Sequence, residues 1–227
     1  MMCLASPLFA TPAPLPAPEY EVLGALLAHG LAGDTRLAVL ADRTSGAAAG
    51  VGEDPTPVAT RAARLGTTEA LLAEWERVNQ QTFQLEKKIG IKVPYMLLAD
   101  FERSTFFQGD DPETGWSRFF RRFGESDGII RVSRPALDPT GTQALVYLEF
   151  QCGAECGSGR MVNLQRAPGQ GWRVTGGELL WVAAPAAKPP AAPPPAQSPP
   201  VKSPASMPVA PGSDATNPMM VMPGTRP

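Results

Sequence analysis

A chain of 227 residues with a net charge of −2, one histidine, three cysteines and 26 prolines excludes several classes of protein at once. Nucleic-acid binding and attachment to an anionic membrane surface both need clustered positive charge, which this sequence lacks. No window reaches the roughly 18 consecutive apolar residues of a membrane span, so neither nucleic acid nor a bilayer crossing is expected.

Met1 to Ala10 is mostly apolar, Leu8-Phe9-Ala10 loosely matches a signal-peptidase site, and Thr11 to Pro18 is proline-rich. A secretory signal also needs a basic leading region and a longer apolar stretch, yet no charged residue precedes Glu19. Residues 1–17 read either as a disordered lead or as the remnant of a signal peptide that starts upstream, the second being the stronger reading. Cleavage after Ala10 would remove Cys3 and leave an even pair, Cys152 and Cys156, as suits an oxidising compartment.

The next segment, 18–182, reads as one domain. Pro18-Glu19-Tyr20-Glu21 opens a helix, since proline suits the first turn and the acids complement the helix dipole. Tyr20, Leu23, Leu27 and Leu31 recur near helical spacing, with Gly30 as a stop. Arg36 to Asp42 reads as a largely buried strand and Ser45 to Pro57 as a loop. Thr67 to Lys88 is the strongest helical pattern: Thr67 or Thr68 caps it, and Leu71, Trp75, Val78, Thr82 and Leu85 form its apolar stripe. Lys92 to Ala99, with Pro94, fits an edge strand. Trp116, Phe119, Phe120 and Phe123 lie at helical spacing opposite Arg118, Arg121 and Arg122, the signature of a helix docked on a sheet.

From Gly128 the apolar period changes to two. Strands are expected at Ile129 to Arg134, Gln143 to Cys152, Arg160 to Gln165, Trp172 to Thr175 and Leu179 to Val182. Turns fall at Pro139-Thr140-Gly141, the cysteine loop, Pro168-Gly169-Gln170-Gly171 and Gly176-Gly177. Short connections enforce antiparallel pairing. The expected fold class is α+β, a meander of four to five antiparallel strands in the C-terminal half packed by two longer helices from the N-terminal half.

Ala183 to Pro227 carries 14 of the 26 prolines, no aromatic residue, and only Lys188, Lys202, Asp214 and Arg226 as charges. Such a composition offers too little apolar area to offset ordering entropy, so 183–227 reads as a disordered Pro/Ala-rich tail. A protein or cell-envelope partner reached through this tail is one reading, and a tail without a partner the other. Its net positive charge leaves about −4 on the rest of the chain.

Cys152 and Cys156 flank a glycine-rich turn. If they face each other, Val146 meets Val162 and Ala144 meets Leu164, apolar against apolar. Leu148 opposite Arg160 is the weak point, which a bulge at Gly157 or Gly159 would shift. A disulfide is the favoured state. The alternatives are free thiols in a cytosolic protein, a redox pair, whose usual spacing is two residues before a helix, and zinc, for which two cysteines and a distant His29 are too few.

Other chemistry is sparse. His29 would have to carry any histidine-dependent catalysis and reads instead as structural. Gly157-Ser158-Gly159 lacks the helix of a phosphate site. Asp110, Asp111 and Glu113 lack the calcium-loop pattern and read as a solvated acidic loop. No catalytic residue, cofactor or metal ligand is therefore assigned.

The residues Trp116-x-x-Phe119, Ser126-x-Gly128-Ile129-Ile130, Ser133-Arg134 and Gln143-Ala144-Leu145-Val146-Tyr147 form a pattern. It continues with Cys152-Gly153-x-x-Cys156-Gly157-x-Gly159, Gly171-Trp172-x-Val174 and Trp181. The whole resembles a family of uncharacterised, mostly exported bacterial proteins. The resemblance implies export and the hairpin and carries no activity. The expectation is a periplasmic or secreted binding or structural module with a hairpin disulfide, the alternative compartment being cytoplasmic. Two enzyme alternatives stand beside it: a hydrolase built from Asp42, Thr44, Ser133 or Glu149, and a thiol-redox protein.

Overall fold

The computed structural model describes residues 13–31, 33–47, 56–109 and 111–183. Most of the expected lead, the expected tail after Ala183 and Asp110 lie outside the described residues. Ala13 to Pro16 belong to the fold: the Leu15 amide donates to the Gln84 carbonyl, the Gln84 amide donates to the Ala13 carbonyl, and Leu15 is buried. Residues within 13–17, inside the expected lead, are thus tied to the fold.

Among the described residues, five helices pack on one sheet of seven strands. The helices are α1 (Ala17–Gly30), α2 (Val58–Leu65), α3 (Glu69–Val78), α4 (Asp100–Phe106) and α5 (Pro112–Arg122). The strands are β1 (Leu37–Ala41), β2 (Tyr95–Leu98), β3 (Ser126–Val132), β4 (Ala136–Leu137), β5 (Gln143–Gly153), β6 (Cys156–Arg166) and β7 (Trp172–Val182). The order across the sheet is β2-β1-β3-β5-β6-β7, with β4 continuing beside β5.

Mixed pairing corrects the expected purely antiparallel meander. β1 pairs in parallel with both β2 and β3, while β3, β5, β6 and β7 are antiparallel. Parallel neighbours need long crossovers, which α2 with α3 and α4 with α5 provide. The sheet therefore extends into the N-terminal half, and β2 is its edge strand, as Pro94 suggested.

Both faces are covered. Along β5, Ala144 and Val146 join α1 residues such as Leu23, Leu26 and Leu27 in one cluster. Leu145 and Tyr147 point the other way, into α2 and α3 with Leu65, Leu72, Trp75 and Met161. Farther along that second face, α5 seats Trp116, Phe119 and Phe123 over Val39, Leu98 and Ile129. The expected aromatic helix is thus a docked helix, and Asp111 is its cap, accepting from the Glu113 and Thr114 amides.

Two expected elements differ for local reasons. The helix begun at Thr68, whose side chain accepts from the Leu71 amide, ends at Val78 and does not reach Lys88. Asn79, buried just past its end, donates to the Trp75 and Arg134 carbonyls and accepts from the Arg134 amide. That side chain stitches the helix end to the β3–β4 junction and turns the chain away. Gly176-Gly177 is no turn, because β7 runs through it. Gly177 faces Val162, and a Cβ there would lie 2.5 Å from the Met161 carbonyl oxygen. The glycine permits close approach between strands rather than reversal.

The β5–β6 register is the expected one: Val146 opposes Val162, Ala144 opposes Leu164, and Leu148 opposes Arg160. The irregularity sits elsewhere than at Gly157 or Gly159. Gln151 pairs with Gly157 and Gly153 with Cys156, leaving Cys152 as the bulged residue. Its sulfur lies at bonding distance from that of Cys156, with the Cα atoms 5.0 Å apart. In the chain-entropy model a bridge over so short a loop contributes about 2 kcal/mol. Replacing both cysteines by serine should therefore lower the urea unfolding free energy by about 2 kcal/mol with the m-value unchanged. Reduction of the native protein should give the same loss.

Candidate functional site

The hydroxyl and carboxylate residues proposed for hydrolysis are engaged in hydrogen bonds of the fold. Ser133 is fully buried; its Oγ accepts from the Trp75 indole at 2.9 Å and the Tyr147 amide at 2.8 Å, and donates to the Arg134 carbonyl at 3.2 Å. Thr44 Oγ1 accepts from the Phe83 amide at 2.8 Å. Asp42 Oδ2 accepts from the Gln84 side chain at 3.2 Å, while its buried Oδ1 has no hydrogen-bond partner among the described residues. Glu149 lies on the helix-rich face. None of the four lines the clefts described below. Among the described residues no three His, Cys, Asp or Glu side chains are grouped as a metal site. His29 is exposed in the last turn of α1.

Glu149 sits in a polar seam between the two apolar clusters of the helix-rich face. Arg131, opposite it on β3, approaches to 3.5 Å, and Gln151 Nε2 donates to its Oε1 at 2.7 Å. The Tyr147 hydroxyl donates to Oε2 at 3.3 Å and accepts from the Trp181 indole at 2.9 Å. Glycine makes this row possible. Gly159 pairs with both Glu149 and Trp181, and a Cβ there would overlap the indole nitrogen and the Tyr147 hydroxyl. Gly157-Ser158-Gly159, which carried no phosphate chemistry in the sequence, is the bare surface on which Trp181 lies. The seam opens on a recess of about 260 Å³ bounded by Trp116, Phe107, Gln151, Cys156 and Trp181.

An opening larger than this recess lies on the other face, under the end of α1. That helix has 14 residues and β5 has 11, so at about 1.5 Å and 3.3 Å per residue the helix is roughly 15 Å shorter than the strand. Past Gly30 the chain turns extended at Leu31, and Leu148 and Phe150 of β5 are only half-buried. The resulting cleft, about 390 Å³, has Leu27, Leu37, Ile130, Leu148 and Phe150 as its walls. Asp34, Thr35, Ser126 and Asp127 form its polar rim, with Thr35 donating to Asp127 at 3.1 Å. Gly128, at φ +153°, closes one side; a Cβ there would overlap the Gln151 carbonyl oxygen. A second hollow of about 290 Å³ shares Gly30 and Leu148 and continues toward Val162, Val174 and Leu179.

A cleft of this size, with apolar walls and a few polar groups, is suited to holding a small molecule. Sequence reasoning missed it because its walls come from four separate segments. The one local signal was Gly30, read as a helix stop. No family model matches this chain, no curated protein matches it, and no solved structure matches it.

The seam yields a measurable signature. Burial, foremost, together with the Glu149 charge and hydrogen bond, pushes the Tyr147 phenol up to about 12, against the lowering by the Trp181 bond. Because the folded value is raised above the ordinary 10.0, the contribution to stability is complete below pH 10 and is lost as the pH rises through about 12. Tyrosinate absorbance should show one tyrosine ionising only near the alkaline unfolding transition. Tyr147→Phe should remove that step and destabilise by about 1–2 kcal/mol, since the indole N–H and the carboxylate each lose a partner.

Proposed function

We propose that this protein is an exported, disulfide-stapled binding module whose working surface is the apolar cleft under the end of α1. One observation carries the reading: a concave site of about 390 Å³ walled by Leu27, Leu37, Ile130, Leu148 and Phe150 stands open to solvent. The groups a hydrolase would need contrast with it. Ser133 has its hydroxyl committed to three partners, and Glu149 is tied to Arg131, Gln151 and Tyr147. An activated nucleophile needs an adjacent base, and Ser133 has an indole and backbone groups instead.

Export is supported by the cysteine pair at bonding distance, because such bonds persist in oxidising compartments. The resemblance to the exported family supports it as well. No helix among the described residues is long and apolar enough to cross a membrane, which is compatible with a released or periplasmic domain.

The test uses a neutral apolar fluorophore, N-phenyl-1-naphthylamine, whose emission rises in an apolar site. The native protein should enhance it saturably with one site. Gly30→Leu adds a side chain where a Cβ would lie 3.9 Å from Leu148 and no clash exists. That variant should weaken binding about tenfold or more, as loss of several apolar contacts implies, at an unchanged unfolding midpoint. Absence of enhancement with the native protein, or equal enhancement with the variant, would remove the cleft as the binding surface.

A further inference from the structure

The charged groups lining the cleft are all of one sign. Asp34 and Asp127 stand exposed at its rim, and no lysine, arginine or histidine is among its lining residues. Neither carboxylate has an ion-pair partner among the described residues; Asp127 accepts only the neutral Thr35 hydroxyl. A third source of negative potential is the wall formed by Leu27, Gly30 and Leu31, which is the C-terminal end of α1. The last carbonyls of a helix carry about half a negative charge, and here the Leu27 carbonyl accepts from the Leu31 amide at 2.9 Å. Cations are favoured at such an end and anions disfavoured.

Apolar walls beneath a negative rim define an amphiphile by its two ends. On the reading of the cleft as a binding site, we infer that its ligand is a small cationic amphiphile, with an apolar body against Leu148, Phe150 and Ile130 and an ammonium or similar cation between Asp34 and Asp127. The volume of about 390 Å³ lies at the small end of ligand sites and favours a short chain or single ring over a folded partner.

Exposed carboxylates contribute modestly, so about threefold each and tenfold together is the expected preference. Each buried CH₂ adds about fourfold. The experiment is displacement of N-phenyl-1-naphthylamine by monomeric octyltrimethylammonium, octanol and octanoate at low ionic strength. The cation should displace at about one tenth the concentration needed by octanoate, with octanol between them. Hexyltrimethylammonium should be about fifteenfold weaker than the octyl compound. Asp34→Asn with Asp127→Asn should bring cation and anion to within about twofold while leaving octanol unchanged, and high salt should do the same.

Displacement by octanoate at equal or lower concentration would overturn the cationic assignment while leaving the binding site standing. Failure of the fluorophore itself to bind would instead defeat the reading of the cleft as a site. A preference for the cation that stays at about tenfold after the double substitution would place the head group elsewhere and also overturn the inference. Displacement by a lysine-flanked leucine peptide, where octyltrimethylammonium has no effect, would reassign the cleft to a peptide.

Discussion

Because β5 and β6 pair continuously from Gln143 with Gln165 to Gln151 with Gly157, their common register assigns each side chain at the centre of the sheet to one face. Even-numbered residues of β5 build the core beneath α1, and odd-numbered ones build the core beneath α2 and α3. A slip of one residue would exchange Val146 for Tyr147 and undo both cores together. The bulge at Cys152 ends the ladder, and the disulfide holds that end. Polar satisfaction follows the same register: Tyr147, Glu149 and Gln151 fall in one row and serve one another only because they alternate with Leu148 and Phe150.

What could be read from residue order was whatever depends on near neighbours. Period-two alternation located β3, β5, β6 and the start of β7, and the pairing of Val146 with Val162 followed from matching apolar faces across a short turn. The first helix and the aromatic helix followed from periodicity and from their prolines. Features set by distant contacts were not readable. Asn79 ends α3 through Arg134, 55 residues away. Gly176-Gly177 resembles a turn until Met161 is placed against it. The parallel pairing of β1 with β3 depends on a crossover of more than eighty residues, beyond any local pattern. Helices α2 and α4, eight and seven residues long, are shorter than the window over which helical periodicity can be counted.

The candidate sites divide in the same way. The cysteine hairpin was legible because spacing and glycine content are local, and the sulfurs are where that spacing puts them. Trp181 was visible as part of a motif but without a role. Its role needs Gly157 and Gly159, more than twenty residues earlier, as a floor, and the Tyr147 hydroxyl as partner. Ser133 shows the converse. As a serine ending a strand it invited a catalytic reading, whereas its three hydrogen bonds make it a junction between α3, β3 and β5.

Opposite faces of this sheet reach opposite solutions to one geometric problem, which is covering strands of 11 residues. Four helices serve one face, and where they leave a gap Trp181 folds across the glycines and closes it with a hydrogen bond. On the other face α1 is joined by Leu15, Leu85 and Ile89 from flanking segments; it stops at Gly30, and beyond its end Leu148 and Phe150 are half-buried while Ile130 is buried. Apolar surface of this kind exposed in a concavity is unfavourable unless something else removes it from water. The end of α1, bordered by Asp34 and Asp127, is the part of the fold on which the proposed ligand reading rests.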